Sequence, residues 1–529
     1  MSTLAVVGGQ PALLIRLAAR RDRILVPLWC AGLLVVCFAS AAATPGLYHS
    51  EAARVQAAEA INSSPGLVAL YGPILDVHST GELAMTKMTV VYSVLVAVML
   101  LFVVRRHSRM DEESGQAELL GGTAITARAP LLAAIWFGTL VSLLLGVLAA
   151  LVNIAGGLDV VGSLAFGASW AGVGLVATGL TAVACQLSAS SRTCAAIGSV
   201  VIGVLFVLRA IGDTSSATWL SWLSPFGWNT RLRAYSDTRW WVLGLYLASA
   251  AALVGVALVL RQRRDLGSGV IAARPGPATG APRLADAIAL SLRVHTPMLA
   301  GWTLAMAALG AVFGAISPSF DAFDSAGIQE MLQRIGGEGA FRDTLLAAVV
   351  SVVAIIVTCF AIAVVVHGSN DEHDGRTEQV LATATSRSRE LLATLLVAFG
   401  GATWLLLVSG VALAVGVGND SDHSFAVLAL SALAQAPAVW VVVALATLCY
   451  AWQSRLALLG WGFVLLFTTL GEVGEMLDLP RWLIDLSPYS HAARMPQEDF
   501  APGPALALTG ITAVLTALAW LRYRGRDIG

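Results

Sequence analysis

The segment Asp111-Glu-Glu-Ser-Gly115-Gln-Ala-Glu118 returns 260 positions later (371 − 111) as Asp371-Glu-His-Asp-Gly375-Arg-Thr-Glu378. The same offset pairs Thr123 with Thr383 and Ala124 with Ala384, then Leu131, Leu132 and Ala133 with Leu391, Leu392 and Ala393, without a gap. Leu223-Ser-Pro-Phe226 recurs as Leu486-Ser-Pro-Tyr489 at an offset of 263 (486 − 223), and Arg264-Asp-Leu-Gly267 as Arg526-Asp-Ile-Gly529 at 262 (526 − 264). Three well-separated matches at nearly one offset mark a tandem duplication, and a repeat of this length fixes the architecture before any single element is assigned.

The composition says which solvent the repeat folds in. Of 529 residues 57% are hydrophobic and only 12% charged, and the mean hydropathy is +0.78. Water does not solvate that much apolar surface, so the bilayer is the implied solvent. A net charge of −1 excludes the basic footprint of a nucleic-acid binder. A helix crossing about 30 Å of hydrocarbon needs about 20 apolar residues. Twelve such windows are found, near residues 24–44, 83–104, 130–153, 160–186, 194–212 and 240–260 in the first half, and 297–316, 344–366, 390–417, 424–449, 456–477 and 503–522 in the second.

The expected fold is therefore an all-α polytopic membrane protein, two tandem six-helix halves related by a pseudo-two-fold axis along the membrane normal, with a path between them. Residues 1–265 form the first half and 293–529 the second. Residues 266–292, with Arg274-Pro-Gly-Pro277 and Gly280-Ala-Pro282, have linker composition. The Arg-rich start (Arg16, Arg20, Arg21, Arg23) leads into an apolar run without a small-residue cleavage site, which reads as a retained first span.

Basic residues concentrate on cytoplasmic flanks. The starting group, Arg105, Arg106 and Arg109, Arg192, Arg261, Arg263 and Arg264, Arg376, Arg387 and Arg389, Arg455, and Arg522, Arg524 and Arg526 share one side if the N-terminus is inside. Both termini are then cytoplasmic, and the chain is a multi-pass protein of a bacterial plasma membrane. Arg231, Arg233 and Arg239 fall outside and form the exception. The stretches 219–228 and 477–489, rich in Trp and Pro and too short to cross, fit interfacial or re-entrant elements, or loops lying on the membrane.

The chain has one lysine, Lys87, in Met85-Thr-Lys-Met88 inside an apolar span, so it lacks the Gly-rich loop and lysine that cradle ATP phosphates. The six cysteines, Cys30, Cys37, Cys185, Cys194, Cys359 and Cys449, lie in or at the ends of apolar runs, with no metal-site spacing or disulfide framework. Ionisable groups inside a bilayer are functional suspects. Lys87 is the main one, with Glu82 about 1.4 turns away as an imperfect partner or with its amine snorkelling to the interface. Arg209 and Asp213, at i and i+4, read as a structural pair.

The stretch Gly375-Arg-Thr-Glu-Gln-Val-Leu-Ala-Thr-Ala-Thr-Ser-Arg387 resembles the first cytoplasmic loop of ABC-exporter permeases of the ABC-2 superfamily. That family carries a Gly-x-x-Glu-x-Leu-Leu-x-Thr-Pro-x-Ser pattern on its coupling helix. Gly375, Glu378, Leu381, Thr383 and Ser386 match it, Ala384 replaces the proline, and the first half keeps Gly115, Glu118, Leu119, Leu120, Thr123 and Thr126. With the duplication the resemblance covers the whole chain, and its length is similar to actinobacterial exporters of polyketide and ionophore antibiotics, a multidrug efflux class.

The resemblance implies that the chain is a permease and not itself an enzyme, with no catalytic residue, metal or cofactor of its own. ATP and Mg would be bound by two copies of a separately encoded ATPase, docked at residues 111–123 and 371–383 through Asp111, Gly115, Glu118, Asp371, Gly375 and Glu378. Glu118 and Glu378 could cap a helix or pair with arginine on that partner. It also implies a path for amphipathic compounds along the second and fifth spans of each half, which suggests Met85, Lys87, Met88, Tyr92 and Phe206, with Phe463 and Phe467 in the second half. Met and aromatic side chains suit varied apolar ligands, though they also serve as ordinary packing.

Two other classes share some of these features. A proton-driven secondary transporter would also have twelve spans in parallel halves, but its Gly-x-x-x-Asp-Arg-x-Gly-Arg loop is absent. A membrane-embedded lipid-linked glycosyltransferase would need an outer catalytic carboxylate, for which Glu51, Glu59 and Asp76 are available in a loop that the second half does not mirror.

Overall fold

Backbone amides and carbonyls in hydrocarbon must bond within their own segment, so each apolar run becomes a helix. The computed structural model describes residues 3–527 except 49, 122–125, 127, 273–277, 281–283, 285, 318–337, 419–422, 474–479 and 499. Among the described residues twelve helices are long and apolar enough to cross a membrane. Numbered in chain order, the first six are α1 Leu25–Leu47, α2 Thr80–Glu113, α3 Ala129–Ala155, α4 Val160–Leu187, α5 Ser191–Thr214 and α6 Trp240–Gln262. The others are α7 Ala287–Ile316, α8 Arg342–His373, α9 Arg387–Val417, α10 Phe425–Trp452, α11 Ser454–Gly471 and α12 Pro502–Arg524. They fall into two compact units, Met1–Gly276 and Pro277–Gly529. Of the joining segment, Arg274–Pro277 and Ala281–Pro282 lie outside the described residues, as does Thr123.

The boundaries follow local chemistry. Asp159, Ser190, Ser386 and Ser424 cap α4, α5, α9 and α10, each accepting a hydrogen bond from an amide of the first turn, which satisfies a donor that the helix itself leaves free. α7 begins at Ala287, ten residues before the apolar window at 297, because Pro297 lies within the helix and does not start it. Neighbouring helices tolerate such a proline where the freed carbonyl finds another donor. Ahead of α1 a separate helix, Thr3–Arg21, packs on α3. Asp22, just after it, is fully buried against Arg106 (3.0 Å) and His107 (2.7 Å) at the end of α2.

Within the first unit α4 is the central helix, and α6 the peripheral one. Lipid tails are as apolar as leucine, so tight packing and not the hydrophobic effect holds these helices together. α3 and α4 cross at Gly146 and Gly167, where a Cβ on either glycine would run into the backbone carbonyl of the other. Around them Met99, Leu100, Phe166 and Trp170 fill the core almost without exposure. In the second unit α7 crosses α9 in the same manner through Gly310 and Gly314, and α10 takes the central place.

The Trp-rich stretch of the first unit forms two short helices, Thr218–Leu223 and Pro225–Leu232, neither long enough to cross. Its repeat in the second unit forms Arg481–Ile484 and Pro488–His491. Both copies of the Leu-Ser-Pro-aromatic motif fold alike: Ser224 and Ser487 accept from the amides of Phe226 and Tyr489, and the prolines stand at the first helical position. Arg209 is buried beside this element. It donates to the carbonyls of Val68 (3.2 Å), Ala69 (2.7 Å) and Leu70 (3.2 Å), and to Asp213 (3.3 Å). Asp213 also accepts from Ser221 and lies 3.9 Å from Arg231. The pairing of Arg209 with Asp213 is thus structural, as expected, and one of the arginines that broke the orientation pattern is balanced by the same acid.

Candidate functional site

At the arginine-rich end of each unit the first repeated motif folds into the same shape. α2 ends at Glu113, Gly115 turns the chain, and Gln116–Gly121 forms a six-residue helix. In the second unit α8 ends at His373, Gly375 turns it, and Arg376–Leu381 follows, again six residues. The two glycines have φ of +77° and +71°, left-handed values that cost a side-chain-bearing residue about 1 kcal/mol and glycine almost nothing. On the two short helices Ala117 and Thr377 are buried, while Glu118 and Glu378 are exposed. Leu119, beside Glu118, is 80% exposed.

A brace holds each turn, and it joins two motifs that sequence reading had found only as separate markers of the repeat. Glu112 takes a bidentate pair of hydrogen bonds from Arg264, both 2.7 Å, and a third from Arg109 at 2.6 Å. Glu372 pairs with Arg526 through a single contact, Nη2 to Oε2. The partners lie 152 and 154 residues apart, so no local spacing reveals them. The available signal is that both the Asp-Glu and the Arg-Asp motif recur. The bidentate pair of the first unit fixes orientation as well as distance, and in both units the contact ties the start of the turn to the chain leaving the last span of that unit.

The surroundings of the two braces differ. In the first unit Arg264 also donates to Gln186 Oε1 (2.8 Å), and Arg109 donates to the carbonyls of Ala189 (2.8 Å) and Ser268 (2.8 Å). In the second, Arg526 donates to the Tyr450 carbonyl and lies over the rings of Tyr450 and Tyr523, while the Tyr523 hydroxyl donates to Glu390 at 2.5 Å. Asp111 and Asp371 are placed at the base of the turns and not at their tips. Asp111 pairs with Arg21 of the N-terminal helix (2.8 Å), and Asp371 with Arg376 (2.7 Å), whose guanidinium is held above its ordinary pKa by that hydrogen bond.

The residues suggested for a path are placed variously. Met85 and Met88 are packed in the core of the first unit, and Tyr92 is half-buried. Lys87 is exposed, with its ammonium 5.8 Å from the centre of the Tyr71 ring. Among the described residues Glu82 forms no ion pair with it: its carboxylate accepts from the amides of Leu75 and Asp76 and from the Ser236 hydroxyl. Phe206 is half-buried and lies under the Arg209 guanidinium at 5.0 Å. Phe463 and Phe467 stack at 6.1 Å, with Phe467 the more buried.

α2 and α11 share a feature absent from the hydropathy pattern. α2 contains one widened π-helical turn, Met88–Tyr92, and α11 runs at its end into another, Thr469–Val473. In α2 side chains from other elements take up the carbonyls: Trp170 Nε1 donates to Met88 O (3.1 Å) and the Asn229 amide to Thr89 O (2.7 Å). Such turns shift the register of a helix and collect at functional sites.

Two comparisons bear on the chain. The family model described as "Multidrug efflux system permease Rv1217c, C-terminal domain" matches residues 284–524. The multidrug efflux system permease protein Rv1217c of Mycobacterium tuberculosis is 36% identical over 522 residues, covering 97% of this chain and 94% of the relative.

Proposed function

This chain belongs to the multidrug efflux permease family, and from that we propose that it is the membrane subunit of an ATP-driven exporter of amphipathic compounds. Two copies of a separate ATPase, which binds the ATP and Mg, dock on the short helices Gln116–Gly121 and Arg376–Leu381. Both termini are cytoplasmic in this reading.

One observation carries the docking assignment above the others. The same turn, with a left-handed glycine, an outward glutamate and a buried glutamate–arginine brace, is built twice from different neighbours. A loop that only joins two helices has no need of a brace to a distant part of its unit, whereas a loop that receives force does. Glu118 and Glu378 supply the orienting charge and Leu119 an apolar contact. The brace passes displacement of the turn to the last span of the unit, and the widened turns in α2 and α11 give those spans local compliance. The test is drug accumulation in cells carrying the chain and its ATPase. Efflux lost on ATP depletion with the proton gradient maintained supports the reading. Efflux that persists without ATP and collapses with the gradient overturns it in favour of a proton-driven transporter.

A further inference from the structure

α9, α10 and α12 of the second unit border a groove of about 790 Å³ that the transport reading does not use. Its mouth is polar, lined by Ser386, Ser388 and Arg389 at the start of α9. The end of α12 stands beside them, since Arg387 donates to the Arg524 carbonyl at 3.2 Å. Past the mouth the walls are apolar, with Leu392 and Phe399 from α9, Trp440 from α10 and Ala513 from α12. Thr509 and Thr512 also line the groove, but their hydroxyls donate to carbonyls of their own helix (2.7 and 3.0 Å), and Trp440 Nε1 donates to Thr403 (3.2 Å). Those donors are spent inside the protein.

The length of the groove is that of one leaflet. It runs from Arg389 to Phe399 along α9 (399 − 389 = 10) and from Trp520 back to Thr509 along α12 (520 − 509 = 11). At 1.5 Å per residue this is about 16 Å, half of about 30 Å of hydrocarbon. The side of the groove is open, with Leu392 47% and Trp520 38% exposed.

The charge at the mouth is positive. Arg389 gives its Nε to Asp286 (2.6 Å), and its other N–H groups meet no partner among the described residues. The Arg524 guanidinium lies 4.6 Å from the centre of the Trp520 ring, so Arg387, Arg389 and Arg524 outnumber the one carboxylate, Asp286, that pairs there. Glu390 accepts from the Tyr523 hydroxyl and does not line this groove.

We propose that the groove holds one anionic phospholipid from the leaflet at the arginine-rich end, with its phosphate at Arg389 and Ser388 and an acyl chain along Leu392, Phe399 and Trp440. Basic sites between membrane helices suit anionic headgroups. A zwitterionic lipid would bring the same chain but set a second cation against the arginines, which favours the anionic one. The assignment rests on the helices spanning a bilayer and not on which side the termini take.

The experiment uses the full chain in phosphatidylcholine nanodiscs doped with a phosphatidylglycerol that carries a diazirine at the end of one acyl chain. After irradiation the labelled peptides are mapped by mass spectrometry. Label is expected within 392–399 and 509–520, several-fold above that from phosphatidylcholine carrying the same diazirine. Arg389→Gln is expected to bring it down to the phosphatidylcholine level, and Ala513→Trp, which fills the groove and leaves its charges in place, to abolish it. Equal labelling by the two lipids, label concentrated elsewhere on the chain, or label displaced by the amphipathic cation tetraphenylphosphonium and not by unlabelled phosphatidylglycerol overturns the proposal. The last result would assign the groove to the exported compound. The nanodisc offers lipid on both faces and contains no ATPase, so a failure here leaves the transport reading standing.

Discussion

Arg209 carries a large single-residue consequence. Its guanidinium is fully buried and holds three backbone carbonyls and Asp213. Breaking a buried pair by removing one partner strands the other charge and costs about 3–5 kcal/mol. Arg209→Met is expected to lower the thermal midpoint of the purified protein by several degrees, with Asp213→Asn partly restoring it; an unchanged midpoint contradicts that role. A pH effect is expected at Asp286, whose carboxyl the Arg389 hydrogen bond (2.6 Å) holds below its ordinary value. A depressed carboxylate contributes stability above its unfolded pKa and loses it as pH falls through the folded one. The midpoint difference between wild type and Asp286→Asn should therefore be full near neutrality and shrink below about pH 4, which a pH series of melts checks.

At the scale of elements, the hydropathy windows corresponded to twelve helices because a run of about 20 apolar residues leaves the backbone no alternative in hydrocarbon. The start of α7 was misread because Pro297 looks like a boundary when its neighbours are unknown. The widened turn at Met88–Tyr92 was not legible, since it depends on Trp170 and Asn229 arriving from other elements. The turns at Gly115 and Gly375 were legible as a repeated motif. Their braces were not, because a contact over 152 residues leaves no trace in local spacing. Two predictions belong here. Gly146→Val places a side chain against the Gly167 carbonyl and should destabilise the first unit by about 1–3 kcal/mol, read as a lower thermal midpoint. Arg264→Ala should raise amide exchange at residues 111–118 several-fold while leaving 371–378 unaffected; equal change in both would mean that the brace is not local to its unit.

For the molecule as a whole, duplication gives two glycine turns of one backbone shape and two chemical surroundings. The first is set among Arg109, Arg264 and Gln186, the second among Tyr450, Tyr523 and Glu390. The shared turn explains why the same Gly and Glu recur, and the different settings explain why the two copies have drifted elsewhere. If each turn holds one ATPase, the single variants Glu118→Arg and Glu378→Arg should each keep one copy and the double variant none, because a reversed charge at the exposed position repels the partner group that the glutamate would pair with. The most direct measurement is therefore affinity purification of the full chain from its native membrane, with the amount of accompanying ATPase quantified by mass spectrometry. The account predicts about two ATPase copies per wild-type chain, reduced in each single variant and lost in the double, with the permease itself still folded. ATPase recovered in full with the double variant, or no ATPase with the wild type, would contradict it.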